Sequence, residues 1–107
     1  MRFDEVTRAR LRVGLMRRGL DLATLLAEIL AGKDKQTELE ALGLDARPGA
    51  RPEELLRAAL EQIEARRRLL DASDDQYGRC DVCGVDLELA ALGELPWADR
   101  CQRHMFA

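Results

Sequence analysis

The chain has 107 residues and a formal net charge of −3, with 35% charged residues and only 4% aromatic ones. A length like this supports one modest core that a metal staple would help. A composition led by Leu, Ala, Arg and Glu points to long solvated helices and argues against a sheet sandwich. Residues 1–20 hold six Arg against Asp4 and Glu5, an excess of four positive charges, so the remainder is seven negative. That balance argues against nonspecific nucleic-acid binding by the whole surface.

The first predicted element is a helix over about residues 6–30. Val6, Ala9, Val13, Met16, Leu20, Ala23, Ala27 and Leu30 alternate spacings of three and four, the pattern of a helix packing along a partner helix. A second row, Leu11, Leu15, Leu22, Leu26 and Ile29, broadens the apolar face. Gly14 and Gly19 each weaken the helix by about 1 kcal/mol relative to Ala. Gly32 followed by Lys33 is a stop signal, since glycine accepts the left-handed conformation and a cation suits the C-terminal dipole. The most apolar stretch, residues 20–31, is interrupted by Asp21 and Glu28 and is too short to span a bilayer, so no membrane segment is expected.

A connection over about 33–51 follows, with Gly43, Pro48 and Gly49 and room for a short helix over 36–42. Loops this long in compact domains are uncommon and often functional. The second long helix is announced by Pro52 with Glu53 and Glu54 and is predicted to run to about Ser73, with Leu56, Ala59, Ile63 and Leu70 as its seam. At 1.5 Å per residue the two helices are about 42 and 33 Å long, which suits an antiparallel hairpin over 1–76.

Residues 77–107 read as a small finger. Cys80-x2-Cys83, a 17-residue gap and Cys101-x2-His104 supply three thiolates and one imidazole, a donor set that suits one zinc ion. Gly84 permits a tight turn after the second ligand. Four protein ligands leave no open position, so a structural ion is expected and no catalytic one. The sole His is committed to the metal, and there is neither a glycine-rich phosphate loop nor a nucleophile elbow. An enzyme is not expected. An odd Cys count confined to the finger, with no leader-like stretch, sets the expectation of a reducing cytoplasm.

The run Y-G-R-C-D-V-C-G-V-D-L from Tyr77, the gap, and L-P-W-A-D-R-C ahead of the last pair resemble the finger of the DksA/TraR family of bacterial zinc-finger transcription regulators. The resemblance covers residues 77–104, and the preceding helices resemble the family's coiled coil in architecture. It implies a regulator that inserts its coiled-coil tip into the secondary channel of RNA polymerase and reads no DNA sequence itself. The family's Asp-x-x-Asp-x-Ala tip motif does not occur here; Glu38, Glu40 and Asp45 are the acidic residues in that region. Positions where members supply positive charge to guanosine tetraphosphate align with Glu64, Leu95 and Met105, and the usual C-terminal helix is not in the sequence, so binding of that nucleotide is not expected.

A rival from another class is a zinc-stapled helical interaction or assembly protein whose apolar helix face packs on a partner or on another copy of itself, a stable dimer burying the Leu11/Leu15/Leu22 row. A third is nucleic-acid binding through Arg8, Arg10, Arg12, Arg17 and Arg18, with Phe3 the one aromatic near enough to stack.

Overall fold

A computed structural model of the protein describes residues 1–44 and 49–105. The order is α1 (Glu5–Leu30), α2 (Gln36–Ala41), α3 (Pro52–Asp71) and α4 (Leu89–Glu94). Among the described residues there is no strand, only an isolated antiparallel bridge between Arg79 and Asp86. The molecule is therefore mostly helical, as the composition predicts. No described helix is long and apolar enough to cross a membrane.

Local chemistry explains the helix ends. Asp4 caps α1, its Oδ1 accepting the Thr7 amide at 2.7 Å, and Pro52 opens α3 where its missing N–H costs nothing. At the other end of α1, Gly32 with φ +88° lets its own amide reach Ile29 O and that of Lys33 reach Glu28 O. This paired return bond satisfies carbonyls that have no partner within the helix. Both α2 and α3 stop in the same way, but α3 uses Ser73 at φ 53° where glycine would be unstrained.

α1 and α3 form the body. Arg8 donates to Ser73, Arg12 pairs with Asp71 at 2.7 Å, and Gly19 lies beside Ile63, so numbers fall along α3 as they rise along α1. Leu11, Leu15, Leu22 and Leu25 of α1 meet a core completed by Leu56, Ile63 and Leu70 of α3. This corrects the expected register of faces. The row of strict three–four spacing is exposed, whereas the Leu11/Leu15/Leu22 row is the intramolecular one. It follows that the Leu11 row is not available for a dimer. The two rows lie on nearly opposite sides of the helix at 100° per residue, so periodicity alone does not say which one the chain itself covers.

α2 appears within one residue of its expected end and lies against α1. Leu39 is buried, Lys35 pairs with Glu28 at 2.6 Å, and Arg18 donates to Leu42 O at 2.9 Å. α4 was not foreseen in the 17-residue gap; Leu92 on it is fully buried.

Candidate metal centre

The chain leaves α3 and makes two turns that build the first half of the cluster. Asp74 Oδ1 accepts the Gln76 amide, and the Tyr77 amide reaches Asp74 O. The Leu87 amide then returns to Gly78 O at 2.7 Å, and that of Cys80 to Val85 O at 2.9 Å. The Gly84 amide closes on Cys80 O, with Gly84 at φ +76° as the tight turn requires. These bonds fold 80–85 into a turn that presents both sulfurs to one side. The second half is clamped to the first by the Asp81 amide donating to Asp99 O at 2.8 Å, and the His104 amide reaches Cys101 O.

The ligand atoms of Cys80, Cys83, Cys101 and His104 all lie within 4.8 Å of one another. Cys80 Sγ is 3.6 Å from His104 Nδ1, the Cys83 and Cys101 sulfurs are 3.7 Å apart, and Cys101 Sγ is 3.1 Å from His104 Nδ1. Cys80 is buried, Cys101 and His104 are half-buried and Cys83 is exposed. The four residues separated in sequence by up to 24 positions thus converge as the spacing predicts, and they could hold one metal ion.

The thiols are not equivalent. Burial works against ionising Cys80, but the amides of Cys101, Cys83 and Val82 outweigh it and bring the thiol down to about 6. At Cys83 the Val85 amide favours the thiolate, yet desolvation and the Cys101 and Cys80 sulfurs beside it push the group up. One sulfur, that of Cys80, is prepared to be anionic, and Cys83 beside it resists joining it. A cation at the centre removes that conflict.

The cluster is fixed to the helices by contacts that spacing does not reveal. Tyr77, fully buried, donates its hydroxyl to Pro96 O at 2.8 Å and stands edge-on to Phe3, ring centroids 6.0 Å apart. Burial pushes the Tyr77 hydroxyl up to about 12, so it remains a donor. Pro96 also approaches α1 where Gly14 leaves room for it. Arg18 stacks on Trp97 at 4.3 Å, and Gln62 of α3 donates to Trp97 O. Arg2 bonds the carbonyls of Gly78 and Leu87. Arg66 of α3 was also missed; it reaches Asp81, between the first two ligands.

The other singled-out residues lie elsewhere. Glu38 and Glu40 are exposed on α2, whereas Asp45 lies outside the described residues. Glu64 pairs with Arg67, while Leu95 and Met105 line a groove beside the cluster with Arg100 and Arg103. Of the five α1 arginines, Arg8, Arg12 and Arg18 are engaged within the chain, and Phe3 is buried, which removes it as a stacking surface.

No family model matches the chain, and neither a curated protein nor a solved structure matches it. Fold and site therefore define a class by themselves: a small, mostly helical protein with a Cys3His group near its C-terminus that could bind a metal.

Proposed function

We propose that the protein is a bacterial transcription regulator of the DksA/TraR type that acts on RNA polymerase through its secondary channel, with zinc as a structural ion. The observation that carries this reading is the convergence of the Cys3His group beside a two-helix body, in a finger whose sequence resembles that family's. α1 and α3 are read as its antiparallel hairpin.

Zinc is the ion this donor set favours. With zinc–sulfur bonds of about 2.3 Å and zinc–nitrogen bonds of about 2.0 Å, a tetrahedron has edges of about 3.8 Å between sulfurs and about 3.5 Å from sulfur to nitrogen. The observed 3.7 and 3.6 Å fit those edges, and the 3.1 Å edge between Cys101 and His104 would open slightly. With four protein ligands the ion holds the finger and activates no water. The protein acts by contact in a cytoplasmic setting, not as an enzyme.

The partner-facing surface is the connection between α1 and α3, where Glu38 and Glu40 are exposed on α2; Asp45, the third acidic residue of that stretch of sequence, lies outside the described residues. Glu38 stands 4.0 Å from Lys35, and Glu40 accepts a long 3.4 Å bond from Gln36. Such exposed contacts contribute little to folding, which leaves the charges free for a basic or metal-bearing partner. Charge reversal of Glu38, Glu40 and Asp45 together should abolish an effect on transcription by purified bacterial polymerase, with helicity and metal content unchanged. Wild-type regulation by the triple variant, or no binding of polymerase by the native chain, would refute the proposal.

A further inference from the structure

α1 is apolar on two opposite sides, and the chain covers only one of them. On the other, Val6 is 63% exposed, Val13 46%, Met16 61%, Leu20 69% and Leu30 62%, with Ala9, Ala23 and Ala27 exposed between them. These eight positions keep the spacing of a coiled-coil seam along all 26 residues of the helix. Beside the seam, α1 and α3 enclose an open groove of about 600 Å³ lined by Val13, Met16, Leu20, Leu60, Ile63 and Arg67. A contiguous apolar surface of this extent marks an interaction site more often than it marks a monomer's free surface.

We infer that this face binds a second copy of the same chain, the two α1 helices running antiparallel about a two-fold axis between Met16 and Leu20. The inference does not rest on the polymerase reading, and it describes a state in which the partner copy covers α1, so the pair must separate before a two-helix tip could enter a channel. In that register Val6 meets the partner copy's Leu30, Ala9 its Ala27, Val13 its Ala23 and Met16 its Leu20. Alanine thus faces alanine or valine, the large residues meet at the centre and the ends, and each copy presents the same patch, as an isologous interface demands.

Charge selects the direction. The exposed arginines of α1 that make no hydrogen bond or ion pair among the described residues, Arg10 and Arg17, lie in its first half, whereas its second half has Asp21, and Glu28 with its Lys35 partner. An antiparallel pair sets the basic half against the acidic half and brings Glu5 near the partner copy's Lys33; a parallel pair would set Arg12 against Arg17. One like-charge meeting remains, Arg17 with its counterpart near the axis, and Asp21 one turn away in each chain offsets it. The strip runs the whole length of α1, about 39 Å, and the α3 shoulder of the groove widens it beyond a single helix.

Sedimentation equilibrium of the zinc-loaded full chain should give twice the 12.0 kDa chain mass at micromolar concentration. Met16→Glu and Leu20→Glu, each at an exposed site, should weaken self-association at least a hundredfold while circular dichroism and metal content stay unchanged. A photo-crosslinker placed at Arg10 should capture the partner copy's α1 near residues 24–28. The inference is overturned by a monomer at 100-fold higher concentration, which would assign the face to a different occupant. It is equally overturned by a dimer that survives both glutamate variants, or by crosslinks from Arg10 to the first half of the partner copy's α1.

Discussion

Arg66 Nη2 lies 3.1 Å from Asp81 Oδ2, joining the C-terminal half of α3 to the loop between Cys80 and Cys83. Arg66 is 8% exposed, and its Nε and Nη1 have no hydrogen-bond partner, so its burial is only partly compensated. Asp81 is additionally held by Gln76 Nε2 at 2.9 Å. A cation here would also oppose the negative charge that the cysteines carry once a metal is bound. Arg66→Met, which keeps the apolar stem and removes the unpaired donors, should leave folding stability within about 1 kcal/mol of wild type. Metal affinity should nevertheless fall on the order of tenfold, because Asp81 loses its anchor. Chelator competition read alongside urea unfolding separates the two effects.

Each chain should bind one zinc ion, and chelation should loosen 77–105 while leaving much of the helix signal of α1 and α3. Cys80 is buried and bonded to three amides, whereas His104 is half-buried three residues from Cys101. Cys80→Ser should therefore abolish stoichiometric binding, and His104→Ala should retain a weaker site in which water replaces the imidazole. Metal content by atomic emission after dialysis against a weak chelator checks the order.

Gly14 and Gly19 should respond oppositely to alanine although both sit inside α1. A Cβ at Gly14 would lie 2.6 Å from Pro96 Cγ, a rigid ring that is itself buried, whereas one at Gly19 makes an ordinary 3.5 Å contact with Ile63. Gly14→Ala should destabilise by about 1–3 kcal/mol through overpacking, more than its helix propensity returns. Gly19→Ala should stabilise by up to about 1 kcal/mol. Thermal unfolding of the two variants at one concentration decides this, and equal shifts would mean that Pro96 moves aside.

The α1 cap should be visible in the pH dependence of stability. The Thr7 amide, then its side chain, and nearby Arg10 and Arg8 hold the Asp4 carboxyl below its usual range. A depressed folded value means that this contribution is complete above the unfolded value near 3.8 and is lost as pH falls through the lower folded value. Asp4→Asn keeps an acceptor for the Thr7 amide but cannot titrate. Urea midpoints should favour the wild type at pH 6, and that advantage should vanish towards pH 2. Comparing the two proteins at each pH cancels the loss of metal that acid also causes.

The sequence by itself determined the helices and the ligand set, because both are written in local chemistry. Asp4, Gly32 and Pro52 bound α1 and α3 through backbone groups only a few residues away, and each Cys-x2 pair needs only one turn to aim two side chains at one point. α4 escaped because six residues with one buried leucine carry too little periodicity to separate from a loop. Tertiary structure alone decided which apolar face of α1 the chain covers. Both rows satisfy helical spacing, and the choice was made by where α3, α2 and Pro96 come to rest. It also gave Gly14 its role, since a glycine that weakens a helix in isolation becomes the one residue that lets Pro96 approach. Arg66 and Asp81 meet for the same reason: 15 residues apart, they are joined by the turns at Ser73 and Gly78, which no side-chain pattern specifies.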